Sequence, residues 1–94
     1  MKKIRASVNI YGRVQGVCYR QWTLQQAAAF GLKGWVRNLS NGSVEALFEG
    51  DETVVDKMLE LCKEGPVMAR VTHVEVIKQP FLGDFKEFRI KSTF

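Results

Sequence analysis

Residues 35–48 read WVRNLSNGSVEALF and contain the clearest structural signal of the chain. Two runs with strand-like side chains, 35–36 and 44–48, flank the polar turn at 40–43, which contains Asn41-Gly42. Asn-Gly between two such runs is the strongest short-range signal for a β-hairpin. The stretch therefore predicts two antiparallel neighbours, the second and third strands of the chain.

The segment before the hairpin predicts one strand and one helix. Apolar residues alternate with polar ones at Ile4, Ala6, Val8 and Ile10. This period of two is typical of a strand with one buried face. Further along, apolar residues spaced for one helical face are Tyr19, Trp22, Ala27 and Phe30. Gly31 and then Leu32 are typical of a helix C-terminus, so we expect a helix of about three turns.

The segment after the hairpin predicts a second helix and two further strands. Asp51 is a suitable N-cap, and Gly65-Pro66 stops the helix. The core face of this helix is predicted to be Val55, Met58, Leu59 and Cys62. The β-branched content of residues 71–77 predicts a fourth strand, and Phe88 with Ile90 indicates a short closing strand.

The element order β-α-β-β-α-β predicts an α+β fold of the ferredoxin-like, split βαβ type. In that fold two helices pack on one face of an antiparallel sheet. We expect residues 1–94 to form a single domain, because a chain of this length supports one hydrophobic core. The topology brings Arg20, at the start of the first helix, and Asn38, at the end of the second strand, to one edge. One strand lies between them, a gap of roughly 10 Å.

Charge is unevenly distributed along the chain. The formal net charge is +4, and every acidic residue lies at or after Glu45, whereas seven basic residues precede it. Such a field concentrates anions near the first half of the chain, without distinguishing a nucleic acid from a small phosphate compound.

We expect the protein in the cytoplasm and without a membrane partner. Arg5, Ser7 and Asn9 interrupt any apolar region of a signal peptide, and no run approaches the ~18 apolar residues of a membrane span. Cys18 and Cys62 show no Cys-x-x-Cys spacing, so both are interpreted as reduced thiols.

Three features between residues 12 and 38 are candidates for binding chemistry. Gly12 and Gly16 bracket a turn that leads into a helix, where free amides and the helix dipole attract anions, although such a pair is more often only a turn. Arg20 opposes the dipole in the first helical turn unless it binds an anion, and the alternative is a solvated surface arginine. Asn38 is either a functional amide or a plain turn former.

Two long segments resolve these alternatives. Gly12-x-Val14-Gln15-Gly16-Val17-x-x-Arg20 and Gly34-Trp35-Val36-Arg37-Asn38-x3-Gly42-x-Val44-x5-Gly50 resemble the two signature segments of acylphosphatases. The resemblance continues through Gly65-Pro66 and Phe88-x-Ile90, and so covers essentially the whole chain.

The resemblance implies the ferredoxin-like fold and hydrolysis of small acyl phosphates without a metal or cofactor. It implies that Arg20 binds phosphate and that Asn38 orients the attacking water. It also implies a phosphate-binding loop formed by Gln15, Gly16, Val17, Cys18, Tyr19 and Arg20. We expect a monomer that is inhibited competitively by inorganic phosphate. Tyr19 departs from the family pattern, which usually has phenylalanine, and its hydroxyl needs a partner if it is buried.

The chemistry of the residues favours the same substrate class. The predicted site has no evident metal ligands, no paired carboxylates and no nucleophile with a base. It therefore suits a reaction whose leaving group departs without help from an acid or a metal. A carboxylate whose conjugate acid has a pKa of ~4 leaves without protonation, whereas the alkoxide of a sugar phosphate needs an acid or a metal.

Three residue types invite other interpretations. A Cys18 thiolate at a helix N-terminus is a rival candidate for a nucleophile, but tyrosine phosphatases have Cys-x5-Arg, whereas Cys18 precedes Arg20 by only two positions. His73 is interpreted as an ordinary residue of the fourth strand. Trp22 and Trp35 are interpreted as core residues from their spacing.

Two other functional classes share this fold. RNA-recognition domains carry several aromatic residues on the third strand, whereas residues 43–49 here supply one aromatic and two carboxylates, so we expect no nucleic-acid partner. A small-molecule regulatory domain is the third candidate, because a fold does not determine a function.

Overall fold

The computed structural model describes residues 2–94 and has a five-stranded sheet with the order β4-β1-β3-β2-β5. The elements are β1 (Lys3–Arg13), α1 (Tyr19–Ala29), β2 (Lys33–Asn38), β3 (Val44–Asp51), α2 (Glu52–Cys62), β4 (Arg70–Pro80) and β5 (Phe88–Ile90). The predicted order of strands and helices is confirmed, as is the ferredoxin-like α+β fold.

β1 is an internal strand of the sheet, between β4 and β3, and is antiparallel to both. Its alternation has the predicted effect, because Ile4, Ala6, Val8 and Ile10 are all buried. Polar side chains at the intervening positions lie on the opposite face of the sheet. The core therefore forms between one face of the sheet and the two helices.

The predicted hairpin joins β2 to β3, whose register runs from Lys33 opposite Glu49 to Asn38 opposite Val44. Its turn is closed by a hydrogen bond from the Leu39 amide to the Ser43 carbonyl at 2.9 Å. The Asn41 side chain accepts hydrogen bonds from the amide and the hydroxyl of Ser43, at 3.0 and 2.6 Å. This local side-chain bonding is what Asn contributes to a turn.

Both helices are close to their predicted bounds. α2 buries the four residues expected of it, Val55, Met58, Leu59 and Cys62. Asp51 occupies the N-cap position but its side chain makes no capping hydrogen bond, so that part of the prediction is wrong. The Glu52 amide donates instead to the Lys2 carbonyl at 2.9 Å, which satisfies one of the free amides at the helix start.

The sheet is mixed, because β5 runs parallel to β2, with Gly34 opposite Phe88 and Val36 opposite Ile90. The expectation of an antiparallel sheet holds for the other strand pairs. The parallel pair arises because the chain crosses after β4 from one edge of the sheet to the other, so that β5 enters in the same direction as β2.

Trp35 is not a core residue, contrary to the sequence interpretation. On β2 the buried positions are Gly34 and Val36, so Trp35 lies on the sheet face opposite the helices and is half-buried. The Arg37 guanidinium lies 4.8 Å from its ring centre and the Lys91 ammonium lies 4.4 Å from it. Trp22, by contrast, packs partly against the core.

Candidate active site

Before the loop to α1 begins, β1 loses its pairing with β3 first and its pairing with β4 three residues later. The β1 pairing with β3 ends at Ile10 opposite Val44, whereas the pairing with β4 continues to Arg13 opposite Arg70. Gly12 lies within β1 at a register shift and not in the turn itself. A Cβ atom on Gly12 would lie 2.1 Å from the Arg70 carbonyl oxygen, so glycine is needed for the close approach of these strands.

The loop exposes a series of main-chain donors. Within residues 2–94, no main-chain N–H from Gln15 to Arg20 donates a hydrogen bond. Gly16 has a φ of 74° and Cys18 a φ of 64°, both left-handed. Left-handed residues in a short loop let consecutive amides face one side, and the N-terminus of α1 adds its partial positive charge. The loop therefore has the chemistry of an anion-binding cradle.

Arg20 lies in the first turn of α1 and is half-buried. Its guanidinium has no carboxylate partner in the described part of the chain, whereas Arg5 and Arg37 are paired with Glu49 and Glu45. A cation at a helix N-terminus opposes the dipole. An anion bound between the guanidinium and the loop amides would compensate both charges.

Asn38 is the last residue of β2 and is also half-buried. Its main chain is fixed, because its carbonyl accepts a hydrogen bond from the Phe94 amide at 3.0 Å. Its side-chain amide, by contrast, makes no hydrogen bond to any residue from 2 to 94. A fixed backbone with an uncommitted amide suits the binding of a small polar group such as water.

The loop, Arg20 and Asn38 line one cleft of about 450 Å³ at the predicted sheet edge. The residues that line it are Val14, Gln15, Gly16, Cys18, Tyr19, Arg20, Gln21, Asn38 and Ile90. Val17 was included in the predicted loop, but its side chain is buried in the core and does not line the cleft. Val14, Gln21 and Ile90 also line the cleft, although the sequence did not predict them as site residues. For Ile90 the only available signal was its place on a strand that pairs with β2.

Gln15 uses its side chain within the protein. Its Nε2 donates to the carbonyl of Leu39 at 2.8 Å and to that of Ser43 at 2.9 Å. Both hydrogens of the amide are therefore committed to the β2–β3 turn. A role in binding substrate remains a prediction for the main-chain N–H of Gln15 only.

Tyr19 has the hydroxyl that distinguishes it from the usual family residue, and this hydroxyl is satisfied. The side chain is buried, and the hydroxyl donates to the Cys62 carbonyl at 2.6 Å. Burial raises the pKa of Tyr19 well above its ordinary value, so the phenol stays neutral. The ring packs edge-on against Trp22, with centroids 5.3 Å apart.

The two cysteines lie in different environments, and neither forms a disulfide. Cys18 is exposed at the start of α1, and Cys62 is buried. Burial raises the pKa of the Cys62 thiol to about 12. Cys62 is therefore an inert core thiol.

Other polar groups lie outside this cleft. His73 is exposed on β4, where it stacks on Tyr11 and lies 3.2 Å from a Glu75 oxygen. A second cleft, at the far end of the sheet, contains Glu49, whose carboxylate is already occupied by Arg5 and by the amides of residues 82 and 83.

Among residues 2–94, no three His, Cys, Asp or Glu side chains form a group suited to a metal ion. No helix in the same range is long and apolar enough to span a bilayer.

Comparisons with known proteins agree on one family. The family model described as Acylphosphatase matches residues 6–90. An acylphosphatase of Syntrophobacter fumaroxidans is 51% identical over 90 residues, which cover 96% of this chain and 93% of the relative. One from Geotalea uraniireducens is 49% identical over 88 residues, covering 94% and 97%. The crystal structure of acylphosphatase from Bacillus subtilis has a TM-score of 0.91 at 33% identity, covering 94% of this chain and 98% of that one. This chain therefore belongs to the acylphosphatase family.

Proposed function

We propose that the protein hydrolyses the carboxyl-phosphate bond of small acyl phosphates, releasing a carboxylate and inorganic phosphate. One observation carries this proposal: the loop amides, the Arg20 guanidinium and the Asn38 amide line the same cleft, and none has a partner within residues 2–94. These groups are suited to binding a phosphate and a water. Membership of the acylphosphatase family supports the same reaction.

The phosphate binds between the main-chain amides of residues 15–20 and the guanidinium of Arg20. The planar guanidinium donates two hydrogen bonds to one phosphate, and the amides donate along the other side. These donors neutralise the oxygens that would otherwise repel an incoming water. They also hold phosphorus in one orientation, which is the main contribution that a rigid site makes to this reaction.

Asn38 holds the attacking water in line with the bond to be broken. Its side-chain oxygen, Oδ1, accepts a hydrogen bond from the water. Its side-chain NH₂ group donates to a phosphate oxygen or to the same water. The water oxygen forms a new bond to phosphorus as the bond between phosphorus and the carboxylate oxygen breaks. The electron pair of that bond leaves with the carboxylate, and one water proton is released to solvent or carried by the phosphate.

The reaction needs neither a metal nor a general acid. The leaving carboxylate has a conjugate acid with a pKa of ~4, so it departs as an anion at neutral pH. The residues that line the cleft include no carboxylate and no imidazole. Binding and orientation are therefore the contributions expected of this chain, which acts as a single-domain, cytoplasmic monomer.

A nucleic-acid partner is not proposed. RNA-recognition domains stack bases on the open sheet face. Here the third strand places Glu45 and Glu49 on that face, in ion pairs of 2.7 and 2.9 Å with Arg37 and Arg5. These pairs neutralise the two arginines that would otherwise attract a phosphate backbone.

Hydrolysis of benzoyl phosphate by the purified protein tests the proposal. We expect turnover that a chelator leaves unchanged and that inorganic phosphate inhibits competitively, and no turnover of a sugar phosphate. Arg20→Ala removes the side chain proposed to bind the phosphate. Arg89→Ala is its matched control, because Arg89 is an exposed arginine outside the cleft. Loss of activity with chelator and its recovery with a divalent ion would overturn the metal-free mechanism. Absence of any benzoyl phosphate turnover would overturn the function.

A further inference from the structure

We propose that Gln15 is a positioning residue that sets the distance between the phosphate-binding loop and Asn38. It does so by holding the β2–β3 turn through its side-chain amide. This inference rests on the proposed function, since it assigns phosphate binding to the loop and water orientation to Asn38.

The hydrogen bonds of Gln15 end on the two residues that close the turn. Leu39 and Ser43 are already joined, because the Leu39 amide donates to the Ser43 carbonyl at 2.9 Å. The Leu39 carbonyl also accepts from the Gly42 amide at 3.1 Å. Each carbonyl has two lone pairs, so the bonds from Gln15 use the remaining acceptor capacity of both. Gln15 therefore completes the hydrogen bonding of this turn.

The sheet itself does not connect the loop to the turn. The last β1–β3 pair is Ile10 with Val44, and the last β2–β3 pair is Asn38 with Val44. Beyond that level, the two bonds from the Gln15 side chain are the only hydrogen bonds between residues 14–18 and the turn in the described chain. Because Leu39 directly follows Asn38, a bond to the Leu39 carbonyl restrains the residue that carries the catalytic amide.

The same geometry argues against a direct role of this side chain in binding phosphate. Both of its N–H donors are used, and the remaining Oε1 atom is an acceptor that would repel a phosphate oxygen. Its half-buried position keeps the two bonds partly away from competing water. The structure thus separates two roles in one residue, a main-chain donor in the loop and a side-chain restraint on the turn.

The test is Gln15→Met, which keeps an unbranched side chain of similar length and removes both donors. Misplacing a reacting group by about 1 Å can cost on the order of 10²-fold, so we expect kcat for benzoyl phosphate to fall at least ~10-fold. The dissociation constant for inorganic phosphate should change by less than ~3-fold, because the loop amides and Arg20 remain. Gln25→Met is the matched control, since Gln25 is exposed on α1.

A double-mutant cycle with Asn38→Ala identifies the residue through which Gln15 acts. If Gln15 positions Asn38, Gln15→Met lowers kcat little in the Asn38→Ala background, and the two effects are not additive. Fully additive effects, an unchanged kcat in Gln15→Met, or a loss of phosphate affinity as large as the loss of kcat would each overturn the inference. The water-orienting role of Asn38 fails separately, if Asn38→Ala alone retains its kcat, and the proposed function fails if the parent protein does not hydrolyse benzoyl phosphate.

A second variant covers the case in which Gln15→Met does not fold. Gln15→Asn keeps the amide but shortens the side chain by one methylene, which withdraws it from bonds of 2.8 and 2.9 Å. It should show the same loss of kcat at retained phosphate affinity. If neither variant folds, Gln15 is a structural residue and the positioning role is wrong.

Discussion

Replacing Tyr19 with phenylalanine should remove one buried hydrogen bond while leaving the aromatic ring in place. The Tyr19 hydroxyl donates to the Cys62 carbonyl at 2.6 Å, and Cys62 is the last residue of α2. A continuing helix would satisfy this carbonyl from the amide four residues later, but that residue is Pro66, which has no N–H. The first residue of α1 therefore caps the C-terminus of α2.

The expected loss of stability follows from that arrangement. No main-chain N–H within the described residues donates to the Cys62 carbonyl, so the substitution leaves a buried acceptor unsatisfied. Such a group costs about 1–3 kcal/mol. For a domain of this size each kcal/mol lowers Tm by about 4–8 °C, so Tm should fall by about 4 °C or more. The ring contact with Trp22 does not involve the hydroxyl and should persist.

Urea unfolding of Tyr19→Phe measures this loss, with Tyr11→Phe as the matched control. The Tyr11 hydroxyl is exposed and lies 3.3 Å from a Glu75 oxygen, so its removal should change the unfolding free energy by less than about 0.5 kcal/mol. The kcat of Tyr19→Phe should stay near that of the parent, because the phenol points away from the cleft toward α2. Equal unfolding free energies for the two variants would refute the capping role of Tyr19.

Three further outcomes are expected. Arg20→Lys should weaken inorganic phosphate binding about tenfold or more at unchanged Tm, because lysine replaces a two-donor fork and each charge-assisted bond is worth about 1.5–3 kcal/mol; near-native phosphate inhibition would contradict this. Stability should fall above pH 9, because the pKa of Cys62 rises from 9.0 to about 12 on folding and only the unfolded thiol ionises in that window. The slope from this thiol is about 1.4 kcal/mol per pH unit, and Cys62→Ala should unfold with a shallower pH dependence; the same slope in both proteins would contradict the assignment. A thiol reagent should label exposed Cys18 in the native protein and Cys62 only after unfolding, and two labels in the native state would contradict the burial of Cys62.

Local patterns were sufficient to predict most of the fold. The alternation along β1 and the four apolar positions of α2 identify the buried faces, because each follows from the repeat of one element. The hairpin follows from Asn-Gly between two strand-like runs, whereas the hydrogen bonds that the Asn41 side chain accepts from Ser43 were not part of that prediction. Trp35 shows how this reasoning fails when it is incomplete. Its neighbour Val36 is buried, so the period of two already placed Trp35 on the other face.

The direction of β5 depends on contacts that no local pattern reveals. The segment between β4 and β5 is held by the Glu49 carboxylate, which accepts hydrogen bonds from the main-chain amides of Leu82 and Gly83. The same carboxylate forms an ion pair with Arg5. Glu49 occupies an ordinary polar position of an alternating strand, and nothing in the sequence marks it as buried. A three-residue strand such as β5 also has too few positions to show a period.

The candidate site was predictable to the extent that it depends on the ends of elements. Arg20 and Asn38 share one cleft because α1 begins and β2 ends at the same edge of the sheet. The bonds of Gln15 to the turn were not predictable, because they join two irregular segments whose relative position is set only by the completed fold. The partner of the Tyr19 hydroxyl was missed for the same reason, although the need for one was evident.

Asn38→Ala and Arg20→Ala, measured side by side, separate water orientation from phosphate binding, with kcat for benzoyl phosphate and a directly determined dissociation constant for inorganic phosphate in each protein. We expect Asn38→Ala to lower kcat on the order of 10²-fold or more while phosphate binding stays near that of the parent, because the amide orients water and does not hold the phosphate. Arg20→Ala should lose phosphate affinity steeply. Thermal unfolding of both variants excludes a loss of the fold. A near-parental kcat for Asn38→Ala, or a loss of phosphate affinity as large as that of Arg20→Ala, would contradict the role of Asn38 in orienting the attacking water.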